Sequence, residues 1–477
     1  MTGLARSTPI ATTVQVLPDD LTARRTATGG QLVAGLAVAV VVGLCAVLAP
    51  LSTAVALIAL ATLMYLAALI YRLAAFWLSI RKPELVVVTD EEARGLPDHY
   101  LPIYTVLVPA YREPAVIGAL IERLSQLEYP PDKLDIRLLL EEDDRETIVA
   151  AMAARPGPQF TIVRVPHSEP KTKPKACNYG LEGARGTLVT IYDAEDRPEP
   201  LQLRRVVAAF ARSDESVACL QAKLSYFNAE QNLLTRWFAI EYAMWFSFLL
   251  PGLVAQRGPL PLGGTSNHFR ANLLAAVGGW DPYNVTEDAD LGIRLARRGY
   301  QTRVLESTTF EEANSDVINW IKQRSRWYKG YLQTWLVHSR HPIELRRELG
   351  WRGFIGFNLF VAGTPLLSLV NPVFWSLTAL WFVIHPPVIM ALFPAWLYYL
   401  SLAVMVAGNF SLFYSWLISA RTAGSRKLVF AAFLVPVYWA LMSLAVIKAA
   451  VQLISAPSFW EKTVHGLDGA PAPKTNP

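Results

Sequence analysis

Thr187-Leu-Val-Thr-Ile-Tyr-Asp-Ala-Glu-Asp196 runs from a short apolar strand straight into a cluster of acids. Thr187 to Tyr192 has the length and hydrophobicity of a buried strand. Carboxylates as close as Asp193, Glu195 and Asp196 repel one another at a strand end, so something positive has to offset them. A divalent ion bridging the acids to phosphate oxygens is the economical candidate, and Mg²⁺ or Mn²⁺ accepts this ligand set.

Outward from this stretch the same unit recurs. Tyr104 to Val108, Leu134 to Leu140 and Phe160 to Val165 read as strands, with a helical pattern from Val116 to Leu127 between the first two. Such alternation implies a mostly parallel sheet covered by helices, with ligands beyond the carboxyl ends of the strands. Polar islands stand at those ends: Ala110-Tyr111-Arg112-Glu113 after the first strand, Glu141-Glu142-Asp143-Asp144 after the second and Asp193 to Asp196 after the fourth. The second island also reads as the solvated cap of a helix starting near Arg145, since acids stabilise helix N-termini. Thr286-Glu287-Asp288 likewise reads as an N-cap with first-turn acids for a helix over Asp290 to Arg298, a placement that would also fix where the acid sits.

This polar middle lies between long apolar blocks. The chain has 477 residues, 53% of them hydrophobic and 17% charged, too apolar for an ordinary soluble protein. Residues 31–49 and 53–79 contain no charge except Arg72, and about 20 apolar residues suffice to cross a bilayer. A helical hairpin turning near Pro50 follows. Arg24 and Arg25 before it, and Arg81 and Lys82 after it, put both ends in the cytoplasm by the positive-inside rule. A cleaved signal peptide has a much shorter apolar core.

Phe354 to His385, Val388 to Ala420 and Leu428 to Ile454 are further apolar blocks, broken by Pro365, Pro372, Pro386, Pro387 and Pro394 in the first two. Three full crossings would leave the C-terminal tail outside. The net charge of +5 fits anionic lipid headgroups and sugar diphosphates as partners. No clustered basic module points to nucleic acid. Cys45, Cys177 and Cys219 show neither zinc nor disulfide spacing, consistent with a reducing compartment.

Ile318 to Leu336 interleaves Trp320, Trp327, Tyr328, Tyr331 and Trp335 with Lys322, Arg324, Arg326 and Lys329. That is the composition of a helix lying in a membrane interface. Asn232 to Leu250 is a second such candidate.

Taken together, Pro109-Ala-Tyr-Arg-Glu113, Glu141-Glu142, Lys173-Pro-Lys-Ala-Cys-Asn178, Asp193-Ala-Glu195, Thr286-Glu287-Asp288 and Gln323-Arg-Ser-Arg-Trp327 resemble the inverting family 2 glycosyltransferases. The membrane-embedded processive members, such as cellulose synthase and hyaluronan synthase, are the most similar. The resemblance implies an α/β GT-A domain, Rossmann-like, joined to an α-helical transmembrane region. It implies that Glu141 and Glu142 contact the nucleoside, with Tyr111 and Glu113 lining the nucleotide pocket. Lys173 and Asn178 would stand by the diphosphate, and Asp193 and Glu195 would hold it with the metal. Glu287 would join the donor site, Asp288 would be the general base, and Gln323, Arg326 and Trp327 would hold diphosphate and acceptor. Glu195 stands where the family usually has Asp, leaving Asp196 as an alternative ligand. Phe459-Trp-Glu-Lys-Thr-Val-His-Gly466 resembles a gating segment through Trp460, Lys462 and Thr463, although a plain interfacial anchor is the favoured reading of it.

The expected organisation is a cytoplasmic tail (1–30), a transmembrane hairpin (31–80), a GT-A domain with interfacial helices (100–345), C-terminal transmembrane or interfacial helices (354–455) and a tail (456–477). The expected activity is metal-dependent, inverting transfer from a nucleotide sugar, commonly a UDP-sugar in the family, to a growing polysaccharide with coupled export. An accessory export subunit is a conceivable partner. The setting is the inner or plasma membrane with a cytoplasmic catalytic domain. Single transfer to a lipid-linked acceptor is the alternative within enzymes. A transporter or scaffold that merely binds nucleotide sugars is the alternative outside them, and it has no need of a base such as Asp288.

Overall fold

The computed structural model describes residues 14–457 and 459–461. Nine strands form one sheet: β1 Leu85–Val86, β2 Tyr104–Ala110, β3 Leu134–Glu141, β4 Phe160–Val165, β5 Leu188–Ile191, β6 Arg197–Pro198, β7 Val217–Tyr226, β8 Asn267–Arg270 and β9 Gln301–Glu311. Their order is β1-β9-β7-β8-β5-β2-β3-β4, with β6 beside β9. β4, β3, β2 and β5 pair in parallel. β1 and β7 pair in parallel with β9, whereas β8 is antiparallel to both β5 and β7 and β6 to β9, so the sheet is mostly parallel, as expected, with antiparallel insertions at β8 and β6. The chain leaves β7 at the edge where β5 ends, builds helices there, and returns from that edge without the crossover a parallel strand requires.

Side chains alternate across the sheet because the strand period is two. Val106 and Val108 pack with Leu120, Val206 and Phe210 on one face. Leu107, Leu139 and Val189 pack with Cys177, Leu181 and Leu291 on the other. The result is a three-layer sandwich in which the free thiols of Cys177 and Cys219 are core groups.

The principal helices are α1 Gly29–Leu48, α2 Pro50–Arg81, α3 Lys173–Glu182, α4 Leu233–Met244, α5 Glu287–Arg297, α6 Val317–His338, α7 Gly363–Ile384, α8 Ala395–Thr422 and α9 Val435–Ser455. Pro50 opens α2 in its first turn, where no N–H is needed, so the hairpin turns at the expected place. α1 has no buried residue, and its large aliphatic side chains from Leu32 to Leu48, Val42 apart, are 57–80% exposed. In water each would forgo roughly 1.5–3 kcal/mol. Such a surface belongs in lipid.

Among the described residues, six helical stretches are long and apolar enough to span a bilayer: Gly29–Leu48, Pro50–Arg81, Leu233–Ala255, Pro342–Ile384, Ala395–Thr422 and Val435–Ser455. α4 continues through a π-helical segment, Trp245–Leu249, into Leu250–Ala255. Another π-helical segment, Asn358–Ala362, leads into α7, which runs through Pro372 without ending. The second C-terminal block breaks before α8, where Pro394 takes the N-cap. The third breaks at Leu434 into Arg426–Ala432 and α9.

Arg324 on α6 donates to Tyr438 Oη near the start of α9 (3.1 Å). Just past its end, Lys329 donates to the carbonyls of Ala456 (3.3 Å) and Phe459 (2.6 Å), and Gln333 to that of Pro457 (2.9 Å). Both ends of α9 therefore rest on α6. The chain just past α9 thus lies against the helix that carries Gln323, Arg326 and Trp327.

Candidate active site

A cavity of about 1280 Å³ opens at the carboxyl ends of β2, β3 and β5 and continues between α2, α7 and α8. Its upper walls carry Tyr111, Glu113, Glu141, Lys173, Asp193, Glu195, Glu287, Asp288, Gln323, Arg326, Trp327 and Trp460. Residues spread over 350 positions of sequence thus share one space because the sheet brings its strand ends to one edge.

At the donor end, Tyr111 lies beneath the Lys171 ammonium, 4.2 Å from the ring centroid, and Lys171 also pairs with Asp143 at 2.6 Å. Glu113 is fixed through its backbone N–H, which donates to Thr147 Oγ1. Glu141 faces the cavity but is held by Lys175 at 3.0 Å. Two expected donor contacts stand elsewhere. Glu142 is exposed, accepts the backbone N–H of His167 (2.9 Å) and is not among the lining residues, because successive residues at a strand end point to opposite sides. Asn178 pairs its amide with both the N–H and the C=O of Trp280, at 2.9 and 2.7 Å. It fastens α3 to the loop before α5 instead of facing a ligand.

Lys173 meets Asp193 at 2.5 Å and donates to the Gly264 carbonyl at 2.8 Å. Burial opposes its charge, but Asp193 and Glu287 outweigh burial and hold the ammonium above the usual lysine range. Asp196 is turned inward, accepting the N–H of Asp193 (2.8 Å) and the hydroxyl of Thr265. It shapes the acidic turn and leaves Asp193 and Glu195 facing the cavity, so it is poorly placed as the alternative ligand. Burial, reinforced by the charges of Asp193 and Glu195, pushes Asp196 far above the carboxylate range. Glu311 is raised likewise, by burial and then by Asp196, Glu195 and Asp193.

α5 begins at Glu287, with Thr286 as its N-cap. Burial raises Glu287 to about 8, helped by the charge of Asp288 and opposed by Lys173 and Arg326. Burial also raises Asp288, to about 6, against the backbone N–H of Ala289, Lys173 and Arg326. Of the pair, Glu287 is thus the more readily protonated and Asp288 the more readily ionised. One turn on, buried Asp290 accepts from Arg294 Nε (2.7 Å) and lies 3.0 Å from His338 Nε2 of α6, while Arg294 also donates to the carbonyls of Val277 and Gly279. Asp290→Ala would strand a guanidinium that is 3% exposed. The expected loss is about 3–5 kcal/mol, read as a lowered unfolding midpoint of the detergent-solubilised chain by tryptophan fluorescence; an unchanged midpoint would remove this network from the account.

Against α5 lies α6, and the approach needs Gly330, where a Cβ would overlap the Thr286 side chain. Gln323 accepts from Asn314 at 2.7 Å. Trp327 sits among Phe238 and Tyr242, with ring centroids at 5.7 and 6.4 Å. The Arg326 guanidinium lies 4.8 Å from the Trp460 ring centroid, so the tail reaches the site. Lys462 and Thr463 lie outside the described residues.

Sequence reading missed Arg324, whose guanidinium binds Glu241 of α4 through both terminal nitrogens. With Tyr438 also bonded to Glu241, this buried pair ties α4, α6 and α9 together. Nothing in the linear sequence links Glu241 to Arg324. Glu311 was missed as well, since it ends a strand with no neighbouring motif.

Residues 102–330 match the family described as glycosyltransferase like family 2. The chain is similar to the Bacillus subtilis protein named "Probable glycosyltransferase YdaM", 28% identical over 251 residues that cover 52% of this chain and 60% of that protein. It is similar to the Beta-monoglucosyldiacylglycerol synthase of Synechocystis sp., 29% identical over 290 residues covering 58% of this chain and 60% of that one. The chain therefore spans about 60% of the length of these curated relatives. Its fold is also that of the mannosyltransferase PcManGT from Pyrobaculum calidifontis, solved in complex with GDP-Man and Mn²⁺. The TM-score is 0.54 at 19% identity, with 83% of this chain and 99% of that chain covered.

Proposed function

We propose that this chain, which carries a glycosyltransferase family 2 domain, moves a hexosyl group from a nucleotide diphosphate sugar to a hydroxyl of an amphiphilic acceptor drawn from the bilayer. The observation that carries this reading is the continuity of the cavity. The space holding Asp193, Asp288 and Arg326 is also walled by Tyr65, Leu69, Phe374, Leu402 and Met405 on α2, α7 and α8. Met405 and Trp375, each 41% exposed, also line it.

The chemistry is a single displacement. The acceptor oxygen bonds to the anomeric carbon as the bond to the diphosphate oxygen breaks on the opposite face, and the hydroxyl proton passes to an Asp288 carboxylate oxygen. Lys173 and Arg326 receive the charge developing on the departing diphosphate. Asp193 and Glu195 would hold Mg²⁺ or Mn²⁺ with phosphate oxygens completing the shell; when bound, the ion neutralises charge on the leaving group. Trp327 offers an apolar face to a sugar ring. Trp460, held over Arg326, would cover the donor as part of a gating tail.

Arg24, Arg25, Arg81, Lys82, Arg421, Arg426 and Lys427 flank α1, α2 and α8. Crossings by α1, α2, α7 and α8, with α4 and α9 in the interface, put all these residues on the catalytic side, which is the cytoplasm by the positive-inside rule. A second reading has one favouring observation. The cavity also reaches Phe382, Met390 and Tyr399 at the far ends of the membrane helices, as a path for an exported polymer would.

One experiment decides. The full chain in nanodiscs of native lipid is supplied with a panel of radiolabelled nucleotide sugars and Mn²⁺. A single organic-soluble labelled species is expected. A high-molecular-weight ladder would establish the polymer reading instead, and no release of nucleotide diphosphate from any donor would leave only binding.

A further inference from the structure

We propose that Arg72 binds an anionic group, a phosphate, of the acceptor lipid, so that the acceptor is a phospholipid with a free hydroxyl in its head. This rests on the amphiphile reading above. Arg72 is the sole charge in residues 53–79, nine residues before the end of α2 and therefore roughly 14 Å into the membrane. A guanidinium at that depth costs several kcal/mol unless it has a partner or a function.

Its partners within the chain are insufficient. Arg72 Nη2 donates to Thr364 Oγ1 at 2.7 Å, and its Cζ lies 5.7 Å from the Phe360 ring centroid. Its Nε is buried without a hydrogen-bond partner. Among the described residues no carboxylate lies within ion-pair distance of it. Glu241, the acid acting on it, is taken by both terminal nitrogens of Arg324 and by Tyr438 Oη. Two arginines and one glutamate leave a charge of +1 facing the cavity.

The order of chemistry along the cavity identifies the ligand. Asp288 lines the cavity from the first turn of α5. Arg72 lines it too, bonded to Thr364 in the first turn of α7, and Leu69 and Phe374 line it farther along α2 and α7 from the ends that join the catalytic domain. Base, cation and apolar walls match in sequence a head-group hydroxyl, a phosphodiester and acyl chains. The phosphodiester oxygens accept the charge-assisted hydrogen bonds that Arg72 has left to give.

The test uses the full chain in phosphatidylcholine nanodiscs containing either dioleoylphosphatidylglycerol or dioleoylglycerol, with the labelled donor panel. The unaltered chain is expected to label phosphatidylglycerol at least about tenfold better than dioleoylglycerol. Arg72→Gln should raise the acceptor KM by about 10- to 100-fold, leaving the donor KM and the pH profile unchanged, and Arg72→Lys should recover part of the loss. Native mass spectrometry supplies a readout without transfer: phosphatidylglycerol should stay bound to the purified chain and be lost from Arg72→Gln, while millimolar inorganic phosphate should not displace it.

Equal labelling of both lipids, or phosphatidylglycerol kinetics and retention unaltered in Arg72→Gln, would overturn the Arg72 assignment alone. Arg72-dependent stimulation of dioleoylglycerol labelling by added phosphatidic acid would place the anion on a neighbouring lipid and overturn it too. Labelling of neither lipid, with label found only in polymer, would bring down the amphiphile reading and the acceptor assignment together.

Discussion

Asp288→Asn is expected to lower sugar transfer by about 10³-fold, within the 10²–10⁴ that a positioned base contributes, while nucleotide binding measured by calorimetry stays as in the unaltered chain. The amide keeps the shape of the carboxylate and its place at the start of α5 but cannot take a proton. The neighbouring acid gives the contrast. Burial holds Glu287 protonated to about 8, so Glu287→Gln replaces a neutral group by a neutral group and should keep most activity at pH 7. Loss of both nucleotide binding and transfer in Asp288→Asn would make Asp288 a structural acid, and an inert Glu287→Gln beside an active Asp288→Asn would exchange their roles.

The pH profile follows with a definite sign. A base works only when ionised, and Asp288 is raised to about 6, so kcat/KM should fall as pH drops through about 6 and level off above it. An ordinary exposed aspartate would place that fall near 4.

How much of this was legible in the sequence depends on the length scale of each feature. The strand ends were, because apolar runs stopping at acids or at Pro109 are local, and β2, β3, β4 and β5 lie where the runs predicted. β8 was not: a four-residue strand carries little signal, and its direction depends on the path taken through α4 and back. The site residues on the walls were recognisable by motif, whereas Glu142 and Asn178 differ from their neighbours only in which way the side chain points. The packing of α9 along α6 could not be read from composition, since a helix lying on α6 and one crossing the bilayer both need apolar residues. What decides it is Lys329 and Gln333 capturing the carbonyls beyond its end.

Arg326→Ala should carry the second large effect, about 10²–10³ in kcat, the range seen when a preorganised group facing a developing charge is removed. Arg326 is half-buried and lines the cavity with Glu287, Asp288, Asp193 and Glu195, the acids whose charges act on it. Trp460 packs on the face of its guanidinium. Lysine brings a charge without the planar fork, so Arg326→Lys should restore only a small part of the rate. A second readout separates chemistry from packing. Arg326 is one of the cations holding Asp288 down, so its removal should move the acidic limb of kcat/KM to higher pH, whereas Trp460→Ala, which leaves the cation in place, should weaken donor binding without moving the limb. An Arg326→Ala variant that kept its kcat and its pH limb and lost only stability would assign this arginine to holding α6 and the tail together, and the departing diphosphate would then rest on Lys173 alone.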